Sequence, residues 1–192
     1  MQEAATSEDR ERAPGRLSLV QDFVNTRERN PDREELEDPG ALAAWLSSRG
    51  LLGPRERLDA GDLERAIELR ERLRALLEER AHGGAQAHTV AGLNALAVGA
   101  PLVATLDGDG AVTLAPATGG LDGAIAALLA IVARAALDGT WERLKVCADD
   151  DCRWAFYDRS RNRSGSWCSM AVCGNRAKAR NFRARRRAAG AA

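Results

Sequence analysis

Cys147, Cys152, Cys168 and Cys173 are the whole cysteine complement of this 192-residue chain, and their spacing, C-x4-C-x15-C-x4-C, constrains it more than any other feature. Two close pairs separated by a short excursion can wrap four thiolates tetrahedrally around one ion. The last fifty residues are rich in Arg and poor in large apolar groups, so they cannot close a core unaided, and a bound metal would supply the missing folding free energy. One structural Zn²⁺ per chain is therefore expected. Unpaired structural cysteines and redox disulfides are the alternatives. A ligand set made of four cysteines leaves no open position on the metal, which argues against zinc catalysis.

The charge distribution divides the chain in the same place. The net charge is zero, yet residues 143–192 hold 13 Lys and Arg against four Asp and Glu, leaving 15 against 24 for the rest. The tail suits a polyanion and the body does not. Beyond Cys173, Ala and Arg favour a helix, on which Arg176, Arg180, Arg183 and Arg187 share a stripe with Arg186 beside it. Phe182 is expected to turn towards the module. With Arg161, Arg163, Lys178 and Arg185, these cations are the candidate nucleic-acid contacts, by charge density. A solvated basic tail that merely offsets the acidic body is the plainer alternative. Asp149, Asp150 and Asp151 are expected to be solvated, because carboxylates repel a thiolate cluster.

Upstream, the pattern is helical. Leu17, Val20, Phe23 and Val24 have helical spacing, Ala41 to Ser48 follows Pro39, and a long helix runs from about Asp62 to Ala81. The charged face of that helix, with Glu64, Glu68, Glu71, Arg72 and Arg74, reads as solvated. A shorter helix covers Thr89 to Val98. Two β-prone runs flanking Asp107-Gly-Asp-Gly predict a β-hairpin near 101–115. Leu121 to Leu137, apolar nearly all round, predicts a buried central helix. The expected fold is mainly α: a helical domain with one β-hairpin, followed by a small treble-clef-like or knuckle-type zinc module ending in a basic helix. The expected limits are a disordered N-terminus at 1–15, a helical domain at 16–140, a module at 144–187 and a disordered tail at 188–192. Trp141 is placed to pack the two parts together.

Trp167-Cys-Ser-Met-Ala-Val-Cys173-Gly-Asn-Arg176 closely resembles the CGNR zinc finger, and Leu144 to Cys147, Cys152 and Phe156 to Asn162 fit the same pattern. The resemblance implies zinc and DNA binding. Gly165-Ser166 departs from it, since a pair of arginines is expected there. Leu19-Val-Gln-Asp-Phe-Val-Asn25-Thr26 and Ala44-Trp-Leu46 followed by Gly50-Leu51 resemble the ABATE domain that precedes this finger in stress-induced transcription regulators. Together they imply a bacterial DNA-binding regulator. A homodimer and a small-molecule effector are the further expected partners, on grounds of avidity and of a sensing body. Asn25 and Thr26, polar residues closing an apolar helix, are the candidate ligand contacts, although such residues also cap or link elements.

Trp154, Phe156, Tyr157 and Trp167 interleave with arginines, which keeps RNA binding as an alternative, and a protein-interaction module is another. No Ser-His-Asp set, phosphate loop or HExxH helix is legible, so an enzyme is not expected. The N-terminal residues carry no apolar targeting segment, and Ala124 to Ala133 is too short to span a bilayer. A cytoplasmic protein without a membrane role is expected.

Overall fold

The computed structural model describes residues 12–106 and 108–190, so parts of both expected disordered ends lie outside the described residues. Residues 12–15 belong to the fold. Ala13 is buried and donates its N–H to Gln21 Oε1 at 2.6 Å. At the other end the last helix continues to Gly190, past the expected limit at 187.

Helix α1 (Leu17–Val24) buries Leu17, Val20, Phe23 and Val24, the residues that its 3.6 period places on one side. A two-stranded ribbon follows, β1 (Arg27–Arg29) with β2 (Asp32–Glu34), in a stretch that reads as a charged loop. Its Arg27–Asp32 ion pair, at 2.5 Å, crosses the ribbon. Helix α2 (Pro39–Ser48) starts where Asp38 Oδ1 accepts the Ala41 N–H at 2.8 Å and Pro39 fits the first turn. It delivers Leu42, Trp45 and Leu46 to the core, with the Trp45 ring 5.5 Å from that of Phe23. Helix α3 (Ala60–Ala81) opens on reciprocal hydrogen bonds between Asp59 and Asp62. Helix α4 (Ala87–Val98), the hairpin β3 (Leu102–Leu106) and β4 (Val112–Pro116), and helix α5 (Gly120–Leu137) complete the body.

Helix α5 is central, as its apolar pattern predicts, and Leu121, Ala124, Ile125, Leu128 and Ile131 pack inward. It is not enclosed all round: Ala133 and Leu137 lie on an exposed flank. By length and composition alone it could cross a membrane, but nearly half of it is buried against the other helices.

A 3-10 turn, Trp141–Arg143, leads into the ribbon β5 (Leu144–Val146) with β6 (Ala155–Tyr157), which joins the body to the module. Its two faces have different partners, because successive strand residues point to opposite sides. Leu144, Val146, Ala155 and Tyr157 belong to the same core as α1, α3 and α5, whereas Phe156 packs among the four cysteines. The core therefore runs continuously across the sequence boundary expected near 140–145. Trp141 is buried in it, with the Arg80 guanidinium 5.0 Å from its ring.

Hydrogen bonds reinforce this joint. Asn25 pairs with the edge of β6 as a strand would: its Nδ2 donates to Ala155 O and its Oδ1 accepts the Ala155 N–H, both at 2.8 Å. Arg74 donates to the carbonyls of Val24, Arg27 and Arg153 and pairs with Glu71, tying α1, the first ribbon and the module to α3. Far from being solvated, it is among the largest fully buried side chains, and burial draws its pKa downwards against the opposing pull of Glu71. Arg70 and Glu78, one turn before and after it, hold Glu34 and Arg153.

Replacing Arg74 by Met is expected to destabilise the protein by about 3 kcal/mol or more, since three carbonyls lose a donor. Urea unfolding should show a lower midpoint in one transition. Two separated transitions would show that the body and the module unfold independently.

Candidate metal centre and basic helix

Backbone hydrogen bonds fix the turns that carry the cysteines. Cys147 follows β5 and donates its N–H to Trp154 O at 2.9 Å. The carbonyl of Asp149 accepts the N–H groups of Cys152 and Arg153, closing the loop that presents Cys152, and Arg153 takes a left-handed conformation with φ 49°. Of the second pair, Cys168 precedes and Cys173 lies within a π-helical turn, Met170–Gly174, which is capped by the Ser169 hydroxyl accepting the Val172 N–H at 3.3 Å. Helix α6 (Asn175–Gly190) grows out of that turn. One pair on a ribbon turn and one at the start of a helix make a treble-clef-like arrangement.

The four Sγ atoms lie within 4.8 Å of one another and all four residues are buried, with no disulfide among them. Cys152 Sγ is 3.6 Å from Cys168 Sγ, which is 3.7 Å from Cys173 Sγ. A tetrahedron with Zn–S bonds of about 2.3 Å has edges near 3.8 Å, so the cluster matches the metal in size as well as in ligand type. The site is that of one structural zinc. The thiols share a cramped space and perturb one another. Bonds from their neighbours lower the pKa values of Cys147 and Cys173, and raise those of Cys152 and Cys168.

The surrounding charges depart from the sequence reading. Asp149 is 0 % exposed and pairs with Arg176 Nε at 2.8 Å and Arg180 at 3.0 Å. Asp150 and Asp151 are the exposed members of the run. Arg176 also donates to Cys173 Sγ at 3.2 Å. Four thiolates around Zn²⁺ carry a formal −2, and Asp149 adds to it, so the two arginines neutralise a buried anionic cluster and fasten α6 to it. They are thereby withdrawn from the stripe expected to meet phosphate. Lys178, Arg183, Arg185, Arg186 and Arg187 remain exposed on α6, and Arg161 and Arg163 are exposed on the loop before Gly165. Phe182 does not turn to the module: it is 56 % exposed, with the Arg186 guanidinium 5.9 Å from its ring.

That loop is anchored by Asp158, whose carboxylate accepts from Lys145 Nζ at 2.7 Å and from the N–H groups of Ser160 and Gly165 at 2.9 Å. Burial alone would raise its pKa, but these donors outweigh it and hold it down to about 2. They also explain the departure at Gly165. A Cβ at that position would sit 2.8 Å from Asp158 Oδ1, so a larger side chain would push the carboxylate off its donors.

Asn25 and Thr26 are buried and their polar atoms are engaged within the fold. Asn25 holds β6, while Thr26 Oγ1 donates to Phe23 O at 2.8 Å and accepts from Arg70 at 3.2 Å. Neither lines the large cavity, of about 1120 Å³, that lies beside α5. Of the aromatic residues considered for stacking bases, Phe156 and Tyr157 are buried, and Trp154 and Trp167 pack partly buried against the cysteines.

Cys168→Ser is expected to abolish stoichiometric zinc and to lower the melting temperature of the whole chain by more than about 10 °C, because the module shares its core with the body. Metal analysis and calorimetry check this. Asp149→Ala should weaken zinc retention against a chelator about tenfold, as losses around metal ligands commonly do. Lys178→Ala should leave it unchanged.

Two family models match the chain, in order. Residues 17–139 match ABATE, described as "Putative stress-induced transcription regulator". Residues 143–186 match the CGNR zinc finger. No curated protein matches it. Since the first match alone spans more than half of the 192 residues, the chain belongs to the ABATE family, and it carries a CGNR zinc finger as its second part.

Proposed function

We propose that this protein is a DNA-binding transcription regulator whose zinc module presents α6 to duplex DNA. One observation carries the reading: from Lys178 to Arg187 every residue of α6 is exposed, six of them are cations and none is acidic. Cations three and four residues apart, such as Arg183 with Arg186 and Arg187, repel one another. A polyanion relieves that repulsion and releases counterions, which makes phosphate binding favourable and dependent on salt. Ten residues of helix span about 15 Å, enough to lie along the major groove. Arg161 and Arg163 extend the basic surface on the neighbouring loop.

DNA is favoured over RNA because, of the aromatic residues that could stack unpaired bases, Phe156 and Tyr157 are buried and Trp154 and Trp167 pack against the cysteines. Phe182 is the exception, and single-stranded RNA is the alternative ligand it supports. The acidic body is repelled by nucleic acid and serves for pairing two modules or for sensing an effector. Either role would use the cavity beside α5 rather than Asn25 and Thr26.

Lys178, Arg183, Arg186 and Arg187 changed together to Ala should make the log-log salt slope of duplex binding shallower by up to about 3.6 while zinc content stays at one per chain. Fluorescence anisotropy with duplex DNA and with single-stranded RNA of the same length checks both points. An unchanged slope would exclude α6 as the contact surface, and tighter binding to the RNA would favour the alternative.

A further inference from the structure

The register of the β3–β4 hairpin sorts its side chains into two unlike faces. Thr105 and Thr113 lie opposite each other on one face, their hydroxyls 2.9 Å apart. Leu102, Ala104, Leu106, Val112, Leu114 and Pro116 share the other, which is wholly apolar. Leu102 packs against the core, but towards the tip that face is not covered by the body: Leu106 is 71 %, Val112 64 % and Leu114 51 % exposed. The cavity of about 1120 Å³ lies between it and the exposed flank of α5, with Val112, Leu114 and Pro116 on one wall and Ala127, Ile131 and Leu137 on the other. Leu137 is 85 % exposed.

We propose that this groove is a self-association surface, in which the apolar hairpin face and the α5 flank of one chain close on those of a second copy. Leu106, Val112, Leu114 and Leu137 together expose roughly 400–500 Å² of apolar surface, the size of the largest, often functional, patch on a typical monomer. It is also more than half of the ~800 Å² that each partner buries in a standard interface. The hairpin edges lack the charged side chains that commonly keep a strand edge from pairing, since no residue of β3 or β4 is charged. A two-stranded ribbon open on both faces is marginal in water, so a cover stabilises it.

The charge of the groove selects the occupant. Its charged lining residues are Arg16, Glu56, Arg134 and Asp138, two of each sign, and Glu56 already accepts the N–H groups of Gly53 and Gly120. A nearly neutral surface offers nothing to nucleic acid or to an anionic membrane, but it meets its own copy without repulsion. Such a contact is isologous and closes as a twofold dimer. The inference deepens the proposed function and rests on it for its purpose: a dimer presents two basic helices to one duplex, which raises affinity by avidity.

The test is sedimentation equilibrium of the intact, zinc-loaded protein beside Leu106→Glu/Val112→Glu and Leu137→Glu. These positions are exposed, so the variants should keep their far-ultraviolet spectrum and zinc. Wild type is expected at twice 20.6 kDa and both variants at 20.6 kDa, with duplex affinity lowered at least tenfold and the salt slope roughly halved. A monomeric wild type overturns the proposal, as does a dimer that persists in both variants. A monomer that binds the amphiphilic dye anilinonaphthalene sulfonate stoichiometrically, and loses it in the variants, overturns it in favour of a small apolar ligand. A dimer that dissociates as expected but binds no DNA upholds the interface and defeats the DNA reading, so the two failures are distinguishable.

Discussion

Four thiolates around one divalent cation bring a formal charge of −2 into a module whose fully buried aromatic residue beside the metal is Phe156. Everything near the cluster follows from compensating that charge while making use of the metal bonds. Arg176 lies against Cys173 and, with Arg180, against Asp149, so the start of α6 is fixed by electrostatics rather than by apolar packing. Without the metal, the module has too little apolar surface to hold its loops in place.

The second support comes from the body. The β5–β6 ribbon gives one face to the helical core and the other to the cysteines, so each side of the joint completes the other. Asn25 extends the ribbon edge by pairing with Ala155, and Arg74 gathers three carbonyls from separate segments around one guanidinium. A buried cation with that many acceptors fixes geometry, since any shift of α1 or of the module leaves a polar group without its partner. The basic helix is therefore held at a set position relative to the body.

The arginines fall into three groups by what they neutralise. Arg70 and Arg74 serve the joint, Arg176 and Arg180 serve the metal cluster, and the cations from Lys178 onwards that face solvent have no opposing carboxylate on their own helix. The same residue type thus supports packing, offsets metal charge and offers a surface for a polyanion. Which task each performs depends on the acidic or carbonyl groups brought to it by the fold.

The zinc ligands, the helical body, the hairpin and the basic C-terminal helix were legible in the sequence because each rests on local spacing: cysteine pairs, a 3.6-residue apolar period, a Gly-Asp turn and a run of helix-forming cations. Tertiary structure decided what local spacing cannot encode. Arg74 and Asp149 stand in charged runs that read as solvated, and they are buried because the partners that compensate them arrive from distant segments. Asn25 looks like a cap or a ligand contact until Ala155 is brought beside it. Helix α5 has an apolar pattern nearly all round, but only the packing of α1, α3, α4 and the hairpin determines which flank stays open. Periodicity identifies the apolar and charged faces of each element; the opposing face, and hence whether a charge is solvated or enclosed, is supplied by residues far away in the chain.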